Sequence, residues 1–169
     1  MSKRALKEYV SELPKKELEL QLLDLYDRFP LVKEYYNFIF NPKEDKLIQD
    51  AKVKISNEYY PLKRKRARLR RSIAQKFIKH FLKLGVEAHL VADVMLYNIE
   101  IAQSFSSEKK VADTFYKSMH NSFDQAVVYI SQNGLLADFK NRVVTIYNEA
   151  EKQDWLNFED FSRTLDKIE

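Results

Sequence analysis

The chain has 169 residues, and its 45% apolar and 13% aromatic content is too rich in core-forming side chains for a disordered protein. The absence of cysteine excludes disulfides and thiolate metal sites, and it suits a reducing cytoplasm. No run of about 18 apolar residues is present, and the N-terminus lacks the apolar core of a secretory signal. We therefore expect no integral membrane span and no leader.

The net charge of +4 conceals one strongly basic region. Residues 59–86 contain ten lysines and arginines and no acid, which leaves 19 of the 29 basic residues to face all 25 acids elsewhere. Seven of the nine residues from Lys63 to Arg71, which we name the basic segment, are Lys or Arg. Like charges this close repel one another, so the segment needs a compensating anion inside the protein or in a ligand.

Helical periodicity dominates the chain, and no convincing strand alternation appears. We predict a single all-α domain over residues 1–169, a bundle or short helical stack of about eight or nine helices. The second helix places Leu18, Leu22, Leu25 and Phe29 on one apolar face. The predicted helices cover about residues 3–12, 14–28, 30–40, 42–59, 62–84, 87–105, 111–133 and 135–152, and Asn157 caps a short last helix.

Several residues mark the predicted helix boundaries. Asn41 is placed to cap the fourth helix, with Pro42 in its first turn and Glu44 completing a capping box. Pro61 ends that helix, and Gly85 is suited to a left-handed C-cap after the next one.

The helix over residues 87–105 should be the centre of the fold, because apolar side chains cover most of its circumference. Its narrow polar stripe consists of His89, Asp93 and Glu100. We interpret these three as hydrogen-bonded or exposed groups at the boundary of the core.

A helix through the basic segment, continuing to residue 83, divides its charges between two faces. Arg66 and Arg70 extend the apolar face and point partly inward, so they need buried carboxylates as ion-pair partners. The candidate partners are Asp93, Glu100, Asp45 and Asp50. The outward residues form a basic stripe that we predict to bind nucleic acid or another anion: Arg64, Lys65, Arg68, Arg71, Lys76, Lys79 and Lys83.

Three interpretations of this stripe stay open. It is paired internally and otherwise solvated, or it contacts the phosphate backbone of RNA or DNA, or it meets an acidic protein or an anionic membrane surface. No helix-turn-helix or RNP signature is visible, so nucleic-acid binding would have low sequence specificity. Tyr59 and Tyr60 precede the segment and can stack on bases or pack under a neighbouring helix.

Three stretches of the sequence carry a resemblance to a known family. They are "LLDLYDRFPLVKEYYNFIFNPKEDKL", "FLKLGVEAHLVADVMLYNIEIA" and "NGLLADFKNRV". The chain resembles an uncharacterised bacterial family of small all-helical proteins, a domain of unknown function, over nearly its whole length. The resemblance implies a helical fold and a bacterial origin, and it implies no assigned activity and no catalytic residue.

Signals for chemistry are sparse. His89 and Asp93 are spaced i, i+4, as are His120 and Asp124, and antiparallel helices could join the four as a divalent metal site. No Glu-x-x-His pair, P-loop, dinucleotide fingerprint or nucleophile elbow is present. We therefore predict no cofactor and a binding protein rather than an enzyme.

The predicted functions have an order. Phosphate-backbone binding by the basic helix comes first. A protein-interaction module comes second, because a domain with ten tyrosines and eleven phenylalanines can leave some exposed as a peptide or helix groove. The metal site comes third.

Overall fold

The computed structural model describes residues 2–166, and these residues form nine helices and no strand. The all-α prediction is confirmed. None of the described helices combines the length and the apolar character needed to cross a bilayer. In chain order the helices are α1 (Lys3–Glu12), α2 (Lys15–Arg28), α3 (Pro30–Phe40), α4 (Glu44–Tyr59), α5 (Arg71–Leu84), α6 (Ala88–Glu108), α7 (Asp113–Gln132), α8 (Leu136–Lys152) and α9 (Phe158–Leu165).

The predicted C-cap after α5 is confirmed. Gly85 adopts the left-handed conformation with φ of +78°. The amides of Gly85 and Val86 donate to the carbonyl of Phe81 at 3.0 and 3.1 Å, which satisfies an acceptor that the helix end leaves free. Glycine fits here because it has no Cβ to clash in this conformation.

The capping box predicted for α4 is wrong. Asn41 is the C-cap of α3, and α4 begins only at Glu44. Oε1 of Glu44 instead accepts a hydrogen bond from the amide of Glu87, the N-cap of α6, at 3.0 Å. The carboxylate thereby satisfies a free amide and faces the partial positive charge at the start of another helix.

The helix predicted through the basic segment is also wrong. Residues 61–70 are irregular, and α5 begins only at Arg71. A helix extended through residues 63–70 would concentrate cations at its positive N-terminal end and place like charges four residues apart. The first turn of α5 has no acidic residue to offset them.

The chain divides into two compact units, one ending at Lys43 and the other beginning at Glu44. The first unit contains α1–α3, and the second contains α4–α9. The single domain over residues 1–169 stays a prediction.

The second unit has a well-packed core around α6, as predicted. This helix packs against α4, α5, α7 and α8, and Val91, Leu96 and Ile99 are fully buried. α9 packs on α7 and α8, and the rings of Phe123 and Phe161 lie 4.9 Å apart between centroids. Burial of such side chains contributes about 1.5–3 kcal/mol each, so this core fixes the helix ends that carry the candidate site.

The first unit has no such core. None of its described residues is buried, and polar contacts join its helices. Nε2 of Gln21 donates to the hydroxyl of Tyr9 at 2.7 Å, which links α2 to α1. The hydroxyl of Tyr26 donates to Oδ1 of Asn37 at 2.9 Å, which links α2 to α3.

Candidate functional site

A buried carboxylate on α4 anchors the basic segment from the inside. Glu58 is 5% exposed, and its two carboxylate oxygens accept from Nε and Nη2 of Arg70 at 2.8 and 3.0 Å. Nη2 of Arg64 donates to Oε1 of Glu58 at 3.2 Å and to the carbonyl of Asn57 at 2.5 Å. The hydrogen bonds from Arg70, together with the charges of both arginines, lower the pKa of Glu58 despite its desolvation.

The backbone of Glu58 also shapes the segment. Its carbonyl accepts hydrogen bonds from the amides of Arg68 and Leu69 at 2.9 and 3.3 Å. Leu69 has φ of +52°, a left-handed conformation that a leucine rarely adopts. This local reversal prevents α5 from extending back through the segment, and no glycine or asparagine marks it in the sequence.

Arg71 faces α7 rather than solvent, which corrects its assignment to the outward stripe. Its Nε donates to Oγ of Ser122 at 2.7 Å, and its Nη2 donates to Oε1 of Gln125 at 2.8 Å. Both acceptors are neutral, and burial lowers the pKa of Arg71. The side chain therefore joins α5 to α7.

The remaining cations of the basic segment are exposed, and none has an ion pair within the described part of the chain. Arg66 lies among them instead of pointing inward, because the segment is not a helix. Arg70 does meet a carboxylate, but on α4, where the candidates Asp45 and Asp50 are themselves exposed. The exposed four are Lys63, Lys65, Arg66 and Arg68.

The other two candidate partners, Asp93 and Glu100, form a separate ion-pair cluster with Arg142 and Lys52. The guanidinium of Arg142 donates to both oxygens of Glu100 at 2.8 and 2.9 Å and to Asp93 at 2.8 Å. Nζ of Lys52 lies 2.6 Å from the other oxygen of Asp93. Desolvation would raise the pKa of Asp93, but hydrogen bonds from the two cations hold it below its usual value. The cluster ties α4 and α8 to α6.

The exposed side of the basic segment borders a groove that the helical wheel did not predict. Lys65 and Arg66 line it from the segment together with Arg64, which also contacts Glu58. Lys109 and Lys110, which directly follow α6, line it as well. We name this concave surface, of about 730 Å³, the basic groove. Lys109 and Lys110 fall between the predicted helices 87–105 and 111–133, and only the fold brings them to the segment.

Aromatic side chains line the basic groove between these cations. Tyr60 is 36% exposed and packs edge-on against Phe105, with 5.7 Å between ring centroids. Among the described residues that line the groove, Glu108 is the acidic one. Burial, with a smaller contribution from the charge of Glu108, raises the pKa of Tyr60, so the phenol is neutral at pH 7.

The lysines of α5 form a second basic surface. Lys76, Lys79 and Lys83 are exposed and share one helical face by their spacing. Among the described residues that line the basic groove, none is one of these three lysines. The predicted continuous stripe is therefore split. Arg64 and Arg71 have internal hydrogen-bond partners, Lys65 lines the basic groove, and Arg68 is exposed on neither surface.

The predicted metal site does not form. The ring of His89 packs on Phe139 at 4.6 Å between centroids, and Asp93 is held by its two cations. His120 Nε2 lies 3.1 Å from the hydroxyl of Thr164, which donates to Asp124 at 3.3 Å. Within residues 2–166, no group of three or more His, Cys, Asp or Glu is placed to hold a metal ion.

The chain was compared with known protein families. The model of a family of unknown function, DUF6155, matches residues 1–169. The chain belongs to this family. Membership in DUF6155 confirms the predicted resemblance to a domain of unknown function and covers both compact units, but it assigns no activity, ligand or partner. Comparisons with curated proteins and with solved structures give no match.

Proposed function

We propose that the chain is a non-enzymatic binding protein that holds the phosphate backbone of a nucleic acid in the basic groove. One observation carries the proposal: Lys65 and Arg66 meet Lys109 and Lys110 around an aromatic lining, although more than 40 residues separate the pairs in sequence. Either pair of cations alone would be ordinary for a solvent-exposed surface. Gathered on one concave surface, the four cations raise the local concentration of a polyanion.

The chemistry of the lining favours single strands. Phosphate oxygens accept hydrogen bonds from lysine and, in bidentate fashion, from the guanidinium of Arg66. Only an unstacked base can reach the exposed face of Tyr60, and stacking of this kind tolerates every base. Four phosphate contacts on a single strand correspond to a salt slope of about −3 in a plot of log affinity against log salt concentration.

Fluorescence anisotropy tests the proposal with labelled single- and double-stranded DNA and RNA across a salt series. The groove variant carries Lys65→Glu, Arg66→Glu and Lys110→Glu. The matched control carries Lys76→Glu and Lys79→Glu together with a third reversal, Lys83→Glu, so both proteins lose the same charge. Arg64 and Arg71 are left intact because their side chains stabilise the fold.

We expect the groove variant to bind single strands on the order of 100-fold more weakly at low salt, with unchanged circular dichroism, while the α5 control keeps most of its affinity. A larger loss in the control would move the site to the face of α5. Equal losses in the two variants would mean that net charge, not the groove, attracts the polyanion. Absence of binding by the wild type at low salt would reject the proposal.

A protein-interaction module is the second candidate function. Two observations support this candidate. Arg64, Arg70 and Arg71 have internal partners, so fewer cations are left for a polyanion. The first unit also exposes many large apolar side chains. In that case the basic groove would take an acidic segment of a protein. An acidic peptide competing with nucleic acid for the wild type, but not binding the groove variant, would support this candidate.

A cytoplasmic location and a bacterial origin belong to the proposal as well. The cysteine-free sequence supports a reducing compartment. Fractionation of the source cells with an antibody against the chain would test the location, and recovery outside the cytoplasmic fraction would contradict it.

A further inference from the structure

The first unit combines a large apolar surface with the absence of a core. None of residues 2–43 is buried, although the sequence predicts an apolar face on α2. Leu23 is 61% exposed, Leu31 73% and Phe40 81%. Thirteen large apolar side chains of this unit are more than one-third exposed. A soluble protein leaves such a surface uncovered only at a considerable cost in solvation.

The exposed apolar area of the first unit reaches that of a standard-size protein interface. At about half exposure, thirteen such side chains amount to roughly 1,000 Å² of apolar surface on one chain. A standard interface buries about 800 Å² on each partner, so these side chains together supply enough apolar area for one. Three helices in about 43 residues, without a disulfide or a core, are too few to be stable unless something covers them.

The charges of the first unit narrow the choice of what covers it. Residues 1–43 carry eight basic and seven acidic side chains, so the unit has almost no net charge. A helix that binds a membrane surface has a basic polar face, and a surface that binds a strongly charged partner carries an excess of the opposite charge. The near-zero net charge of the first unit favours neither kind of partner. Three ion pairs of this unit lie within single helices: Arg4–Glu8, Lys15–Glu19 and Asp24–Arg28. A surface compensated in this way can face an identical surface without net repulsion.

We propose that a second copy of this chain covers the first unit, so that α2 and α3 of two copies share one core. The two helices fold onto each other and leave a mainly apolar groove of about 350 Å³. The groove is lined by Leu22, Leu23, Tyr26, Tyr36, Asn37 and Phe40. Two such hairpins related by a two-fold axis close into a four-helix arrangement. A second copy is present wherever the chain is made, which suits a unit that depends on a permanent partner. This inference is independent of the proposed nucleic-acid function.

Sedimentation equilibrium of the full chain over a micromolar concentration series tests the proposal. The interface variant carries Leu23→Glu and Phe40→Glu. The matched control carries Leu82→Glu and Leu156→Glu, two leucines of the second unit that are 50% and 72% exposed. We expect a dimer for the wild type and the control, and a dissociation constant at least about 100-fold higher for the interface variant.

A cysteine-free chain also allows a measurement that does not depend on a disruptive variant. A spin label at a single introduced cysteine in place of an exposed polar residue of α2, Lys16→Cys, should give a defined distance between the two labels of a dimer. A monomeric wild type at high micromolar concentration would overturn the proposal. So would a dimer that the control disrupts as strongly as the interface variant, or a wild type that stays monomeric and binds neutral or anionic lipid vesicles instead.

Discussion

In the basic segment, Arg64 and Arg70 contact Glu58, although Arg64 also lines the groove. Lys65 and Arg66 line the groove and have no ion pair among the described residues. Residues of the same type, a few positions apart, therefore act differently. The difference is set by one buried carboxylate, because the arginines that reach it stabilise the loop and those that do not remain available to a ligand. This comparison predicts that stability and binding can be changed separately by substitutions within a single segment.

Replacing the anchor should have the largest effect. Glu58→Ala leaves Arg64 and Arg70 without their carboxylate, and we expect the free energy of unfolding to fall by about 2–3 kcal/mol. The value is below that of a fully buried pair because Arg70 is 45% exposed and solvent screens it. Urea denaturation followed by circular dichroism measures the change.

The matched control is Glu151→Ala, an exposed glutamate on α8 whose replacement should change stability by less than about 0.5 kcal/mol. Trypsin adds a local readout. In Glu58→Ala, cleavage between residues 63 and 71 should accelerate under native conditions, since the segment loses its internal contacts. Equal stability losses in the two variants would show that Glu58 is not the anchor.

The same carboxylate predicts a pH dependence. The pKa of Glu58 in the folded chain lies below its ordinary value of 4.5, so its contribution to stability is complete above that pH. The contribution is lost as the pH falls through the lowered pKa, because protonation then removes the charge that the arginines bind. The stability difference between wild type and Glu58→Gln should be largest near neutral pH and should shrink in acid. A difference that stays constant from pH 7 to about pH 3 would contradict this assignment.

Much of the fold follows from local signals in the sequence. Gly85 ends α5, Pro30 begins α3, and the apolar circumference of residues 88–105 marks the centre of the second unit. These features depend on residues that are neighbours in sequence. The capping prediction at Glu44 failed because its carboxylate reaches Glu87, a contact that only the packing of two helices creates.

The candidate site was less predictable for the same physical reason. A helical wheel assumes a helix, and the backbone of the basic segment is instead reversed at Leu69 by bonds to Glu58. Lys109 and Lys110 join the groove only because α6 ends beside the segment. The total charge of the segment was visible in the sequence, but its division into an inner and an outer set required the tertiary structure.

The smallest predicted effect concerns the acid in the basic groove. Glu108→Gln removes a negative charge from the lining, so affinity for single-stranded nucleic acid should rise about two- to threefold at low salt and return to the wild-type value at high salt. The pKa of Tyr60 should fall, because the charge of Glu108 contributes to its elevation, yet it should stay raised by burial. Glu151→Gln, outside the groove, is the control for net charge. If both variants gain affinity equally while only Glu108→Gln shifts the titration of Tyr60, then Glu108 faces Tyr60 but the ligand does not bind beside it.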